Sequence, residues 1–193
     1  MFTDNYIKLQ KMLFSSDPNT TTTFKDCAGT SQTVYDYHAP NYKANIGQCM
    51  KYGKCRALTA TFSVAGSPMN NYPGIYFGTG STPAKKTDYT LESPITTGLT
   101  ITNASALSWQ NDGNGKYTVT SDFIVRNTTG AEINISEIGA FGPIYLNANY
   151  FNNGSSSTWA IVLMERTVLS EPVTIQPNES KLVQYKVTFN QPQ

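Results

Sequence analysis

The strongest constraint on this chain is a side-chain period of two, recurring in stretches separated by turn chemistry. From Leu182 onward Val183, Tyr185, Val187 and Phe189 point one way; Gln184, Lys186 and Thr188 point the other, with Leu182 the exception. Tyr117, Val119, Ser121, Phe123 and Val125 repeat the pattern, as do Leu58, Ala60, Phe62 and Val64. Such alternation marks a half-buried strand. The breaks include Gly66-Ser67-Pro68, Asn111-Asp112-Gly113-Asn114-Gly115, Asn127-Thr128-Thr129-Gly130 and Pro177-Asn178-Glu179-Ser180. In these, Pro presets φ, Gly and Asn tolerate positive φ, and Asn and Ser bond their own backbone. Roughly eight to ten strands follow, which predicts an all-β fold, an antiparallel β-sandwich of jelly-roll or Ig-like type. The closing stretch 131–189 reads as successive antiparallel strands over 131–141, 159–169, 172–175 and 182–189. Their one apolar face needs a second layer to cover it.

Residues 4–14 break the β pattern. Asp4 caps a short amphipathic helix on which Tyr6, Leu9 and Leu13 share one side. A helix this short is marginal alone, so that face must dock on its own sheet or on a neighbouring subunit. Tyr6, Leu9 and Leu13 are therefore the candidate assembly residues. Asp17-Pro18-Asn19 stops the helix, and Thr20 to Phe24 reads as extended. Residues 25–55 carry no sustained period and read as a loop or irregular arm that orders against something, such as another copy; a plain surface excursion is the alternative. The expected organisation is an N-terminal helix and arm over 1–55 and a β-sandwich domain over 56–193.

Composition narrows the function classes. The 193 residues carry a formal net charge of +1, so no bulk basic field argues for nucleic acid. Only 14% are charged, and Thr, Ser, Asn, Gly and Tyr fill the difference. The resulting surface is neutral and hydrogen-bonding. Twelve Tyr suit flat contact surfaces, because each offers large area with a polar tip, although Tyr also fills strand positions. No apolar run approaches the ~20 residues of a membrane span. The N-terminus lacks a signal-peptide pattern, so the chain is expected to act without secretion and to keep its thiols reduced.

Cys27, His38, Cys49 and Cys55 form a complete zinc ligand set by residue type. The intervening lengths of ten, ten and five residues lack a tight knuckle, so ordinary thiols and no cofactor are expected. Gly78-Thr79-Gly80 begins like a phosphate-binding loop, but Pro83 stands where the third Gly belongs and no helix follows. His38 is the sole histidine and no Gly-x-Ser-x-Gly elbow accompanies it. Paired carboxylates for glycoside cleavage would have to come from Asp88, Glu92, Glu137 and Glu165. Glu137 is singular: simple alternation puts it on the apolar face of Ile133, Ile135 and Phe141, unless a bulge near Ser136 changes the register. A buried carboxylate needs a partner, and of Arg166 and Arg126 the expected structural pair is Glu137 with Arg166. Asn-x-Ser/Thr triplets at Asn103, Asn127 and Asn134 read as a side effect of Asn/Thr richness.

Several segments in a fixed order carry a resemblance. They are Phe2-Thr3-Asp4-Asn5-Tyr6; Gly78 to Pro83 followed by Asp88-Tyr89-Thr90-Leu91-Glu92-Ser93-Pro94-Ile95; Asn127-Thr128-Thr129-Gly130 with Ile135-Ser136-Glu137-Ile138-Gly139 and Phe141; and Leu163, Arg166, Leu169 and Pro172-Val173-Thr174-Ile175 before a Val-x-Tyr strand. The pattern covers most of 75–189 and resembles small β-rich structural proteins of tailed bacteriophages. The resemblance implies a non-enzymatic virion component assembled in the bacterial cytoplasm, in capsid decoration, head fibre, neck or tail. It would act by self-association as a homo-oligomer and by docking on other virion proteins, with no cofactor, nucleic acid or membrane. The alternative is a host-recognition or carbohydrate-binding module that stacks sugars on Trp109 or Trp159; a small β-fold hydrolase is a further alternative.

Overall fold

The computed structural model describes residues 1–14, 21–35, 74–103, 108–111, 116–145 and 159–190. The strand expected through Leu58, Ala60, Phe62 and Val64, and the part of the expected arm from 36 to 55, lie outside these residues.

Helix α1 (Asp4–Phe14) is followed by strands β1 (Thr21–Lys25), β2 (Ser31–Tyr35), β3 (Gly74–Gly78), β4 (Leu99–Asn103), β5 (Ser108–Asn111), β6 (Lys116–Asn127), β7 (Ile133–Tyr145), β8 (Trp159–Ile175) and β9 (Ser180–Asn190). All ladders are antiparallel, so the all-β expectation holds. One sheet runs β3-β7-β8. In the other, β9 pairs with β6 from Lys116 to Arg126, and β4 and β5 pair with opposite halves of β6. A strand has two edges, so β4 and β5 share the edge that β9 leaves. Ile75, Phe77, Ile135, Ile138, Ala140 and Ile175 from the first sheet meet Leu99, Phe123, Val125, Tyr185 and Val187 from the second in one buried cluster.

The sheets differ in how many faces they bury. On β6, Val119, Ser121, Phe123 and Val125 are buried while Ile124 and Arg126 are exposed, so alternation is clean. β8 is buried on both sides. Ile161 and Leu163 join Tyr76, Leu91 and Phe141. Ala160, Val162 and Met164 meet Phe24, with Tyr6 and Leu9 packed on them. A strand covered on both faces reads as a continuous apolar run, which is why residues 160–164 show no period.

Three expectations need correction. First, β8 and β9 are not neighbours with a common face; the turn at 176–179 carries the chain from one sheet to the other. Asn178 takes φ 61 there, and Glu179 N–H bonds Gln176 O at 3.0 Å. β9 instead extends along nearly the whole of β6, which pairs its backbone groups. Second, the break expected between 169 and 172 is a bulge inside one strand: Ile135 opposes Val173 while Glu137 opposes Val168, which leaves Pro172 clear of the ladder. Third, the described part of 1–55 is built into the sheets. Phe2 bridges Glu165, Thr3 N–H bonds Met164 O at 3.0 Å, and Cys27 N–H bonds Ile161 O at 2.9 Å, closing the outer edge of β8. Within the stretch expected to be irregular, Ser31–Tyr35 is β2. Asp26 makes the turn into it, its Oδ1 accepting from Ala28 N–H at 3.0 Å and Thr30 N–H at 2.8 Å.

Two of the crossings between the sheets, β6 to β7 and β8 to β9, meet at fully buried Asn127. Its Nδ2 donates to Ala131 O at 2.7 Å and Ile175 O at 3.0 Å. Its Oδ1 accepts from Thr129 N–H at 2.8 Å, and its own N–H bonds Glu179 O at 3.0 Å.

Candidate functional site

Among the described residues, a cluster of charged side chains lies where the segment after β3 folds over β7 and β8. The bulge at Ser136 decides its composition. It turns Glu137 away from the Ile135 face, so Glu137 lies on the side of Phe141, toward residues 78–93. There the Glu137 carboxylate, 0% exposed, meets backbone donors. Oε1 accepts from Ser93 N–H at 2.8 Å and Gly80 N–H at 3.2 Å; Oε2 accepts from Glu92 N–H at 3.1 Å. Gly78-Thr79-Gly80 is explained by this approach. A Cβ on Gly80 would stand 2.6 Å from Glu137 Oε1, and one on Gly78 would collide with the same oxygen.

Arg166 completes the charge balance from β8. Its Nε donates to Glu137 Oε2 at 2.8 Å, Nη1 to Asp88 Oδ2 at 2.8 Å, and Nη2 to Glu92 Oε2 at 3.4 Å. Burial pulls the guanidinium pKa down, but the bonds to Asp88 and Glu137 together outweigh it, so the pKa stands above its ordinary value. The outer carboxylates are held in turn: Glu92 Oε2 accepts from Thr82 N–H at 2.9 Å and Thr82 hydroxyl at 2.8 Å, and Asp88 Oδ2 from Lys85 N–H at 2.8 Å. The Thr82 backbone, then its hydroxyl, then Arg166 hold the Glu92 carboxyl below its usual range. Lys25 Nζ, 4.0 Å above the Tyr89 ring, fastens the same segment to β1.

The fourth carboxylate considered for hydrolysis, Glu165, faces the other way. Tyr185 of β9 donates to Glu165 Oε2 at 2.6 Å, a buried hydrogen bond between the sheets. The Thr167 hydroxyl and the amino group of Met1 reach Oε1. Burial, then the Glu165 charge, push the Tyr185 phenol far above its ordinary value.

Chemically this cluster is a clamp. All three guanidinium nitrogens carry a carboxylate, and Glu137 accepts one side-chain and three backbone hydrogen bonds. General acid–base work needs a carboxyl within reach of a substrate proton. Asp88, Glu92 and Glu137 instead converge on one guanidinium.

The structure brings the expected pair Glu137 and Arg166 into contact and leaves Arg126 exposed on the other sheet. Sequence reasoning did not join Asp88 and Glu92 to the pair; the available signal was the two glycines of Gly78-Thr79-Gly80, which mark a close backbone approach. Of the proposed metal set, His38, Cys49 and Cys55 lie outside the described residues. Cys27 is half-buried, its thiol pushed up to about 11 by burial and then by Asp26. Among the described residues no group of His, Cys, Asp and Glu is arranged for a metal ion. Of the two placements expected for the helix face, the chain's own sheet or a neighbouring subunit, Tyr6 and Leu9 take the first: both pack on Phe24, Ala160, Val162 and Met164 of the same chain, and Tyr6 stacks on Phe2 at 4.3 Å. The side chains of Leu13, Trp109 and Trp159 lie outside the described residues. No described helix is long and apolar enough to cross a membrane. No protein-family model, curated protein or solved structure matches this chain.

Proposed function

We propose that this chain is a non-enzymatic structural protein of a tailed-phage virion, a jelly-roll or Ig-like β-sandwich that works by self-association and docking on the particle. One observation carries the reading. Each buried carboxylate among the described residues is taken up in holding the chain in shape: Asp26 shapes the β1–β2 turn, Glu137 fastens the segment after β3, and Glu165 fastens the opposite sheet. Buried charge is thus used to stiffen a scaffold, the need of a part that bears load in an assembly. The two crossings at Asn127 and the cluster shared by both sheets support the sandwich type. The ordered segments that resemble phage structural proteins supply the virion assignment.

The test is particle composition. Quantitative mass spectrometry of tailed-phage particles, purified from a host carrying this coding sequence, is expected to find the chain in many copies per particle. Particles that lack it, while the free chain accumulates in the lysate, would overturn the assignment.

A further inference from the structure

We propose that the outer face of the sheet formed by β4, β5, β6 and β9 is a two-fold interface with a second copy of this chain, an inference that rests on the self-association reading above. The β3-β7-β8 sheet is covered on both faces. The outer face of β6 and β9 is not: Ile124 is 43% exposed and Leu182 67%. Four large apolar side chains are exposed among the described residues, and these two are direct cross-strand partners. Leu182 is also the residue that breaks the alternation of its strand. An apolar pair on a wet face, toward the Asn127 end of β6, is a contact in need of a partner.

Charge placement says which partner. On β6 the residues two before and two after Ile124 on the same face are Asp122 and Arg126. Across the ladder Ile124 opposes Leu182, Asp122 opposes Gln184 and Arg126 opposes Ser180. The Arg126 side chain has no ion pair or hydrogen bond among the described residues. Place a two-fold axis in the plane between two such faces, perpendicular to the strands and level with Ile124. Ile124 then meets Ile124 of the second copy, and Leu182 meets Leu182. Asp122 meets Arg126, and Arg126 meets Asp122. The face is complementary to itself, the requirement of an isologous contact. With the axis level with Ile124, residues 121–127 of β6 and 180–184 of β9 overlap their counterparts, with the adjoining part of β4, a footprint on the order of 300 Å² at about 4.8 Å per strand. That is well under half of the about 800 Å² per partner of standard interfaces, so the dimer belongs to the weak, reversible class and forms at high concentration.

Sedimentation velocity of the full chain across a concentration series tests the proposal. The wild-type chain is expected to dimerise reversibly, and Leu182→Asp to be monomeric. Asp122→Arg and Arg126→Asp each set like charges together and should weaken dimerisation about tenfold or more. The double variant Asp122→Arg/Arg126→Asp recreates the pairing with signs exchanged and should restore it, an outcome no unfolding effect can mimic. If the chain self-associates but is indifferent to all four variants, this interface is wrong while the self-association reading stands. If the wild-type chain is monomeric throughout, both fall.

Discussion

Arg166 Nε lies 2.8 Å from Glu137 Oε2, on adjacent strands, with the two side chains 3% and 0% exposed. A charge so buried survives only because its partner is there. Arg166→Leu leaves the Glu137 carboxylate with backbone donors alone, and Glu137→Gln leaves Arg166 to the more exposed Asp88 and Glu92. Each is expected to destabilise by about 3–5 kcal/mol, whereas Asp88→Asn, at the partly exposed margin, costs about 1 kcal/mol. Urea denaturation midpoints measure this, and equal effects for all three would sink the clamp.

The segment after β3 has no room for side chains where it passes Glu137. Gly80→Ala puts a Cβ 2.6 Å from Glu137 Oε1 and from Glu92 Cβ, which forces the segment off the carboxylate at a cost of about 1–3 kcal/mol. Gly130, whose Cβ would meet nothing within 4 Å, is the control, and Gly130→Ala should be within about 0.5 kcal/mol of neutral or stabilising. Thermal unfolding of the two variants separates them, and a neutral Gly80→Ala rules out the close approach.

Acid should loosen this segment from its outer end. Glu92 is held below its usual range by the Thr82 N–H and hydroxyl and by Arg166. A carboxyl with a depressed folded pKa stabilises above its unfolded value of about 4.3, and that stabilisation is lost as pH falls through the folded value. NMR titration of the Glu92 carboxyl should place its midpoint below the ordinary value, and Thr82→Val, which removes the hydroxyl but keeps the N–H, should move it upward. A midpoint at the ordinary value in the wild-type chain excludes the arrangement.

The base limb belongs to Tyr185. Its phenol is raised by burial and by Glu165, so the folded state keeps the proton after the unfolded state has lost it. Stability from this group is therefore complete below the unfolded value of about 10 and falls as pH climbs above it. Tyr185→Phe should lower stability at neutral pH by about 1–3 kcal/mol, since buried Glu165 loses a donor, yet flatten the decline above pH 10. Urea midpoints from pH 8 to 11 for both proteins check the slope; parallel curves would contradict it.

The sequence alone determined the strand character of β6 and β9, because one face of each touches water and the other does not, and that difference is written every second residue. It also determined that Glu137 needs a partner, since a carboxylate buried without one is costly. The tertiary structure decided the rest. Residues 160–164 of β8 are buried on both sides, so their pattern holds no clue to which cluster takes which side chain. The bulge at Ser136 reverses the face of Glu137, and backbone pairing with β8 sets it. Asp88 and Glu92 reach Arg166 from a segment without a period, over 78 and 74 positions of chain. Tyr6 and Leu9 announce an apolar helix face by their spacing, but spacing along a helix is local. What covers that face is a matter of where β1 and β8 lie in space.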